Sequence, residues 1–592
     1  MPSLRHITMM LGLFPMLVVA GEQQDSSTIR VSGSAGLTFD AYAMNSYGIQ
    51  AALPRRPSTV LRLFASPVIA VSDWLEIPIE ISLTSREASL IQPSLNAPEV
   101  FEILTNPMNR FSISPHIGPV QIHLGSVVPR YGSLVVDNAQ VFGIGVDVNP
   151  GALRLSATYG ILSRSVAVDT FQGKRGSYSR TLAAFRLGSE INSDSRFGFT
   201  FARMSDDPGS IPFITEDQTI AIPMLNDSGV SARDSTFSFV SKSTLLPLAQ
   251  EGLSCGFDMH TPIAAGIYLG AEVAGTAFTR DRSAPEVVEK VPILSSLNTV
   301  RTSTRIDYAG KFVTGYTSNE WGVEGGISYI GPGYVCLTQP YLQPDRIDVT
   351  ITPKATIAQG TFMGSATIGW RRTGILSMLT TGSTQLLITV NAATTIAQTL
   401  VINAGFTNFG YRTTVQSDTL RYEQISQSVN FSPNYTLNRS LYRHQFGSSL
   451  NWDTFRDETR SGVPSKTNTT LSVAVFYGIL PVRGNWSARA SVTHMTNNLE
   501  FGGVSATSGT ISGSYRILDG LLMPDGTIVY SSNSFSGQPT EQQITLRLGV
   551  RIRVSNALSG FARHQLTSIS SASETGRDYS ENLGSMGITY SF

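Results

Sequence analysis

The chain ends on the sequence Leu583-Gly584-Ser585-Met586-Gly587-Ile588-Thr589-Tyr590-Ser591-Phe592. Successive side chains of a β-strand point to opposite faces, so this stretch read as a strand has two different faces. The apolar face consists of Met586, Ile588, Tyr590 and Phe592, and the small polar face consists of Ser585, Gly587, Thr589 and Ser591. The stretch therefore predicts a strand with lipid or a core on one side and water on the other.

Four of these residues resemble the C-terminal assembly signal of bacterial outer-membrane β-barrel proteins, polar-x-Gly-x-x-aromatic-x-aromatic. Ser585, Gly587, Tyr590 and Phe592 fill its positions. The resemblance implies that the barrel-assembly machinery is a partner and that the chain is inserted into the outer membrane. A soluble protein that ends in an edge strand is the alternative at this point.

The composition favours strands over helices as the membrane-crossing elements. Charged residues make up 15% of the 592 residues, below the roughly 25% of soluble globular proteins. The mean hydropathy is only +0.03, and after the N-terminus no stretch approaches the roughly 20 apolar residues of a spanning helix. Transmembrane strands need an apolar residue only at alternate positions, which fits a chain with 53 glycines. The net charge of zero argues against nucleic acid as a partner.

The N-terminus predicts an exported protein. Arg5 and His6 precede an apolar run, Ile7 to Ala20, that is too short to span a bilayer comfortably and ends on small residues. We interpret residues 1–20 as a signal peptide, 21–27 as a short periplasmic segment and 28–592 as the barrel. The first strand follows within about ten residues of the cleavage site, so we expect no plug domain before the barrel.

Strand-length segments of roughly 10 to 15 residues with alternating polarity follow from Thr28 onward. In the stretch Trp74 to Ser85, five aliphatic side chains alternate with Glu76, Glu80 and other polar or small residues. Gln543 to Val554 places six aliphatic side chains opposite a polar face that carries three arginines. A soluble sandwich also alternates, but the unbroken aliphatic face opposite charges favours a membrane barrel.

Turn chemistry divides these segments into hairpins. Between Val141 and Ser163, the sequence Asn149-Pro150-Gly151 separates two alternating runs. Further short turns are predicted at Ser72-Asp73, Gly118-Pro119, Asn192-Ser193-Asp194, Pro262-Ile263-Ala264, Ser318-Asn319, Leu518-Asp519-Gly520 and Ser555-Asn556. Longer connections alternate with these turns, which in outer-membrane barrels separates a periplasmic rim of short turns from an extracellular rim of long loops.

Counting segments predicts an all-β, closed antiparallel transmembrane barrel of about 26 strands, with 24 as the neighbouring number. Backbone groups inside hydrocarbon must all be paired, which favours one closed sheet over separate sandwiches. Two regions are open in this count: Asp234 to Leu245, either a strand pair or part of a loop, and Asn498 to Asn533. The five tryptophans fall near predicted strand ends, as interfacial aromatic girdles require.

Several segments resemble a large outer-membrane barrel family of the Bacteroidota type, which has no assigned substrate. They are Arg55-Arg56-Pro57, residues 106–115, Gly145-Val146-Asp147-Val148-Asn149-Pro150-Gly151, Gly331-Pro332-Gly333-Tyr334 and Tyr341-Leu342-Gln343. The resemblance implies an outer-membrane barrel and carries over no catalytic residue.

No pattern of residues predicts an enzyme, a metal site or a cofactor. The histidines are dispersed and do not stand with Ser and Asp in a hydrolase arrangement. Charged and polar residues on the face opposite the aliphatic one are predicted to line the lumen, and Asp147 and Arg154 are near enough to the turn to pair. The candidate lumen-lining residues are Glu76, Glu80, His123, Asp147, Arg154, Glu272, Glu324, Arg547, Arg551 and Arg553. The basic stripe of Arg547, Arg551 and Arg553 steers anions or pairs with acids such as Glu272 and Glu324.

The sequence therefore predicts an integral barrel of the outer membrane, in contact with the lipid bilayer, that forms a passage for solutes or a secreted polymer. A lumen of this width needs water, infolded loops or a partner inside it. Residues 87–107 and 205–250 are the candidate plugs. A scaffold barrel of a secretion or surface-attachment complex is the alternative, and a plug or secretion protein would be its partner. The two cysteines, Cys255 and Cys336, form a disulfide or remain free thiols.

Overall fold

We analysed a computed structural model of the whole chain. It describes residues 29–47, 54–72, 74–85, 109–167, 175–192, 194–211, 220–223, 237–240, 246–288, 297–375, 382–414, 423–458, 466–499, 502–535, 538–571 and 578–592. The predicted signal peptide, residues 1–20, and the segment 21–27 lie outside these ranges, as does the candidate plug 87–107. Among the described residues, no helix is long and apolar enough to cross a membrane.

The described residues form 31 strands and one short 3-10 turn at Leu518–Gly520. The strands are β1 (Ile29–Ser46), β2 (Thr59–Val71), β3 (Leu75–Thr84), β4 (Arg110–Ile113), β5 (His116–Ile117), β6 (Val120–Val127), β7 (Arg130–Gly132), β8 (Val136–Asp137), β9 (Val141–Val148), β10 (Leu153–Ser163), β11 (Ser179–Asn192), β12 (Ser195–Asp207), β13 (Ile220–Pro223), β14 (Phe237–Val240), β15 (Glu251–Ala264), β16 (Ile267–Thr279), β17 (Thr304–Thr317), β18 (Trp321–Ile330), β19 (Arg346–Ile357), β20 (Phe362–Thr373), β21 (Gly382–Ile396), β22 (Leu400–Thr414), β23 (Glu423–Asn438), β24 (Tyr442–Asp457), β25 (Lys466–Pro481), β26 (Trp486–Leu499), β27 (Gly502–Tyr515), β28 (Leu522–Phe535), β29 (Gln538–Arg553), β30 (Leu558–Ser571) and β31 (Tyr579–Ser591).

The fold is a closed antiparallel β-barrel of 26 strands, as predicted. One sheet contains 27 of the strands, and β4 and β5 are two pieces of a single wall strand because both pair with β6. The pairs β7 with β8 and β13 with β14 form two small separate sheets. Within the uncertain region Asp234 to Leu245, the described strand β14 pairs with the earlier strand β13 in a sheet separate from the wall, whereas Asn498 to Asn533 contributes the wall strands β27 and β28.

The terminal strand closes the sheet on the first one. Strand β31 pairs with β1 from Ser34 opposite Ser591 to Ser46 opposite Tyr579, and Gly33 and Phe592 exchange backbone hydrogen bonds of 2.8 and 3.0 Å. The rings of Tyr590 and Phe592 stack with centroids 5.7 Å apart. The C-terminal residues that predict an outer-membrane barrel are thus the residues that seal it.

Gly587 is needed where β31 meets its two neighbours. A Cβ at this position would lie 2.6 Å from the ring of Phe561 and 2.7 Å from the methyl group of Thr38. Phe561 and Thr38 are the register partners of Gly587 on either side. The same arrangement recurs where Phe64 covers Gly36, its partner in the register of β1 and β2.

The chain divides into two compact units. Unit 1 consists of residues 1–98, 315–326 and 348–592, and unit 2 of residues 99–314 and 327–347. In unit 1, strands β3, β2, β1 and β31 back to β19 form a continuous antiparallel sheet. In unit 2, strands β4 to β6, β9 to β12 and β15 to β17 form a wall whose inner side carries a packed core.

Short turns and longer connections alternate from β1 to β26, as the sequence predicts. Beyond β26 they do not, because two residues separate β26 from β27 and β28 from β29, fewer than the six between β27 and β28. Strands β9 and β10 are joined through Asn149-Pro150-Gly151, with Gly151 at a φ of 65°. One predicted turn is misplaced: residues 262–264 belong to the end of β15, and the turn lies at Ala265 and Gly266. Gly266 has a φ of 76°, a conformation that favours glycine, whereas Pro262 is tolerated at a strand end.

The tryptophans follow the girdle prediction only in part. Trp321 and Trp486 are the first residues of β18 and β26, and Trp74 directly precedes β3. Trp452 lies within β24, five residues before the end of that strand. Because five residues of β24 follow it, this ring is not at a strand end.

Candidate functional site

The wall of unit 2 has one packed face and one exposed apolar face. Leu182 of β11 and Met204 of β12 are fully buried, whereas Phe185 and Phe199 on the same strands are exposed. Even-numbered and odd-numbered residues of these strands thus point in opposite directions. Because a membrane barrel turns its exposed apolar face to lipid, the packed face is the lumen side.

Two connections between wall strands cover this packed face. We call them the first inner segment, residues 128–140 between β6 and β9, and the second inner segment, residues 331–345 between β18 and β19. Together with the wall they form a buried core of Tyr131, Leu134, Val135, Val136, Val141, Leu182, Ala184, Ala202, Met204, Ala274, Phe278, Ala309, Ile330, Tyr334, Cys336 and Leu337. Burial of this apolar surface stabilises both segments against the wall.

Glu272 of β16 attaches the first inner segment to the wall. Its Oε1 accepts a hydrogen bond of 2.7 Å from the backbone N–H of Leu134, and its Oε2 accepts one of 2.5 Å from the hydroxyl of Ser133. Bonds to a carboxylate are stronger than bonds between neutral groups. Glu272, a predicted lumen residue, therefore holds a loop rather than facing open water.

Tyr131 provides a second attachment of the same segment. Its hydroxyl lies 2.7 Å from that of Thr158 on β10, and its backbone carbonyl accepts a bond of 2.9 Å from the hydroxyl of Thr200 on β12. Burial raises the pKa of Tyr131 to about 12. The phenol therefore stays neutral and hydrogen-bonded at physiological pH.

The second inner segment packs on the first and bonds to its backbone. The Tyr334 hydroxyl donates a bond of 2.7 Å to the carbonyl of Leu134, and the Cys336 thiol donates one of 3.0 Å to the carbonyl of Val135. Thr338 donates to the same Val135 carbonyl. Burial raises the pKa of both the Tyr334 hydroxyl and the Cys336 thiol. The two segments thus form one hydrogen-bonded body.

Asp307 of β17 attaches the second inner segment to the wall. Its Oδ2 accepts a bond of 2.6 Å from the backbone N–H of Gly333. A Cβ at Gly331 would lie 2.3 Å from the Oδ1 of Asp307, so only glycine fits beside this carboxylate. Each inner segment therefore has a wall carboxylate that binds its backbone.

Ion pairs and hydrogen bonds connect the wall residues beneath the segments. Arg186 binds both carboxylate oxygens of Asp258 at 2.7 and 2.8 Å and donates a bond of 3.2 Å to Thr200. Thr200 in turn donates to the Tyr131 carbonyl. Arg180 pairs with Asp206 at 2.7 Å. These contacts fix the polar part of the surface on which the segments lie.

Two predicted lumen residues, Asp147 and Arg154, have partners other than the one expected. Asp147 lies 2.8 Å from the ring of His123, and Arg154 pairs with Glu190 at 2.8 Å. The predicted pairing of Asp147 with Arg154 is therefore not observed. The residue opposite Asp147 on β10 is Ser156, not Arg154. Arg154 lies two residues nearer the turn and reaches Glu190 on the neighbouring strand β11.

The remaining predicted lumen residues are spread over unit 1. Arg551 on β29 is the register partner of Phe561 on β30, and Phe561 is the register partner of Gly587 on the small polar side of β31. Arg547 and Arg553 lie on the same side of β29 as Arg551. Arg547 donates a bond of 3.0 Å to Gln565. Glu76 and Glu80 lie on β3, and Glu324 lies on β18. The structure thus brings His123 together with Asp147, but it does not gather the predicted residues into one site.

Sequence reasoning missed both inner segments. The candidate plug 87–107 lies outside the described residues, and 205–250 is described only in part. A signal was present in Leu134-Val135-Val136, three consecutive apolar residues that break strand alternation between two clear strands. Gly331-Pro332-Gly333 marks the other segment, but as a sequence it indicates only a turn and the family resemblance.

The cysteines and the possible metal ligands give no further centre. Cys255 is exposed and Cys336 is buried, and both are free thiols. Within the part of the chain that the structure describes, no three His, Cys, Asp or Glu side chains are grouped in a way that would hold a metal ion.

Comparisons with known proteins give distant structural likenesses. No family model matches the chain, and no curated protein matches it. Among solved structures, it is similar to the siderophore receptor PirA of Pseudomonas aeruginosa, with 9% identity, a TM-score of 0.39, and coverage of 96% of this chain and 81% of that one. A chain of the E. coli P pilus tip assembly intermediate PapC-PapD-PapK-PapG has 12% identity, a TM-score of 0.38, and coverage of 96% and 62%. OmpT of Vibrio cholerae, an outer membrane protein in its loop L8 deletion form, has 11% identity, a TM-score of 0.22, and coverage of 58% and 92%.

The protein is a large β-barrel of the bacterial outer membrane. The even number of antiparallel strands, the closure of β31 on β1 and the exposed apolar face are what this class of protein shows. Identities near 10% and TM-scores this low carry no argument about cargo or mechanism.

Proposed function

We propose that the barrel forms a passage across the outer membrane for solutes or a secreted polymer, and that the two inner segments narrow it. The observation that carries the proposal is their attachment to the lumen side of unit 2 through Glu272 and Asp307. A barrel of 26 strands is too wide for wall side chains to fill. A loop body fixed inside the wall therefore sets how much of the lumen stays open.

The attachment indicates a permanent constriction rather than a gate that opens by itself. Tyr334 and Val136 are almost completely buried, and the segments bond to each other as well as to the wall. Releasing them would expose the apolar core and leave two carboxylates without their backbone donors, and each lost partner costs about 1 to 3 kcal/mol. The proposal is for transport without catalysis.

Conductance across planar bilayers tests the proposal. The wild-type protein is expected to give discrete steps. The double variant Glu272→Ala with Asp307→Ala removes both wall attachments, so we expect larger or noisier steps. The matched control, Arg154→Ala with Glu190→Ala, also removes charged wall side chains but does not touch the inner segments, so its step size should change less than that of the first variant. Silence of all three proteins would count against a passage.

A scaffold barrel that binds a secretion or surface-attachment partner is the second candidate. Val288, on the connection between β16 and β17, is 98% exposed, and Tyr341 of the second inner segment is 97% exposed, so both side chains are accessible to a partner. A pull-down from detergent-solubilised membranes separates the two functions. A stoichiometric partner together with a silent bilayer favours the scaffold, whereas an isolated, conducting barrel favours the passage. The Bacteroidota-type family assignment remains a prediction from the quoted segments.

A further inference from the structure

Strands β22 to β26 of unit 1 carry an open groove of about 530 Å³. Its walls are the rings of Tyr435, Phe446 and Tyr477, and its floor contains Pro433 and Ser448. Leu400, Val475 and Val492 are among the other apolar residues that line it. The volume lies within the roughly 300 to 1,000 Å³ of ligand sites in proteins. We call this feature the aromatic groove.

The register of the strands puts the aromatic groove on the lipid side of the wall. Tyr435, Phe446, Tyr477 and Ala490 are successive register partners. Their side of the sheet continues through Ile511, Ile528, Leu546 and Leu566 to the strand face that carries Ile588. That is the apolar face of the terminal strand, so hydrocarbon surrounds the groove.

Pro433 explains why a hollow exists in this part of the sheet. The ladder between β23 and β24 passes from Phe431 opposite Leu450 directly to Asn434 opposite Gly447, so Pro433 has no register partner in β24. Proline has no N–H to donate, and Ser448 beside it is small. The larger rings around them therefore stand above a depression that a flexible chain can enter.

One end of the aromatic groove is polar and basic. The ring nitrogen Nδ1 of His444 lies 2.8 Å from the hydroxyl of Tyr477, and the rings of Tyr442 and Trp486 are 6.2 Å apart at the strand ends. The two adjacent short turns, residues 439–441 and 482–485, contain the exposed residues Arg439 and Arg483 and no acidic residue. Such a rim attracts an anionic headgroup.

We propose that the aromatic groove binds one glycerophospholipid, with an acyl chain along Pro433 and Ser448 and the phosphate at Arg439 and Arg483. Both halves of the molecule are matched: the groove is apolar where hydrocarbon lies, and the rim is basic where the headgroup lies. The site would retain a lipid of the leaflet that borders the short turns. It is independent of whether the barrel conducts.

Native mass spectrometry of the purified barrel, given palmitoyl-oleoyl phosphatidylglycerol in detergent, tests the site. The wild type should retain one lipid after detergent exchange. Val475→Trp fills the groove and should lower retention about tenfold, because the acyl chain loses its van der Waals contacts with the groove. Val273→Trp is the matched control, since Val475 and Val273 are 54% and 58% exposed on the lipid side of different strands. Heat-modifiable migration confirms that each variant folds, and Ser448→Leu is a second variant that fills the floor.

A second pair of variants tests the headgroup. Arg439→Gln with Arg483→Gln should weaken retention of phosphatidylglycerol about tenfold or more and leave retention of uncharged diacylglycerol unchanged. Arg372 lies on β20, at the end of the wall away from the short turns, so Arg372→Gln should have no effect on lipid retention. The proposal is overturned if the wild type retains no lipid or if Val475→Trp and Val273→Trp lose it equally. It is also overturned if Val475→Trp displaces a second copy of the chain, and not a lipid, from the aromatic groove.

Discussion

The two units build their walls from the same kind of strand but differ in what covers the lumen side. In unit 2, two inner segments pack on the wall and create a buried core that includes Val136 and Tyr334. In unit 1, the lumen side of the last strands presents Gly587, Arg551 and Phe561 without such a core among the described residues. Alternation of polarity is therefore enough to form a wall strand. Whether the lumen side of that strand is covered depends on the residues of a connection between other wall strands.

The largest expected effect is on the core of unit 2. Tyr334→Ala removes a fully buried ring and its bond to Leu134, and such a change typically costs about 3 to 5 kcal/mol. We expect faster hydrogen exchange throughout residues 128–141. Tyr530→Ala, on the exposed apolar side of unit 1, should leave exchange in its own strand nearly unchanged. Equal effects of the two variants would mean that the inner segments are not held by a core.

Raising the pH should weaken the attachment of the first inner segment in unit 2. The pKa of Tyr131 rises from its usual value of 10.0 to about 12, so the folded protein resists ionisation of this phenol. The stability that the buried phenol contributes is fully present below pH 10 and is lost as the pH rises through about 12, a change of about 2 to 3 kcal/mol.

Tyrosinate absorbance and conductance measured from pH 9 to pH 12 check this expectation. Tyr131→Phe removes the titrating group, so its conductance should lack the change in this range. A wild-type profile that matches the Tyr131→Phe profile would show that the phenol does not hold the segment.

In unit 1, the expected effect is on closure of the barrel. Gly587→Ala forces a Cβ against Phe561 and Thr38, and overpacking of this kind costs about 1 to 3 kcal/mol. Gly584→Ala on the same strand meets nothing within 4 Å and is the matched control. The heat-modifiable, folded fraction in outer membranes should fall for Gly587→Ala alone. Similar yields of both variants would show that the ring of Phe561 moves aside at little cost.

The smallest expected effect distinguishes two carboxylates of unit 2. Glu272→Gln keeps one acceptor but loses the charge that binds Leu134 and Ser133, a loss of about 1 to 2 kcal/mol. Glu190→Gln weakens a half-exposed pair with Arg154, worth at most about 1 kcal/mol. Thermal unfolding of the two variants in detergent should show the larger decrease for Glu272→Gln. The reverse order would show that Glu272 does not hold the first inner segment.

Much of the wall was predictable because its information is local. The hairpin at Asn149-Pro150-Gly151 and the terminal strand can be recognised from alternation and turn chemistry alone. The position of Pro262 was predicted less well, because a strand can continue past a proline at its end. The partner of Arg154 was not predictable, since it depends on the strand that packs beside β10.

The sequence by itself determined that this chain forms a closed sheet of about 26 strands with an apolar outer face. It did so because lipid requires every strand to be paired and to turn alternate side chains outward. Only the tertiary structure decided that Glu272 and Asp307 bind backbone N–H groups of two infolded connections. The two contacts join residues that are separated by 138 and by 26 positions in the chain, and no local sequence pattern predicts contacts over such separations.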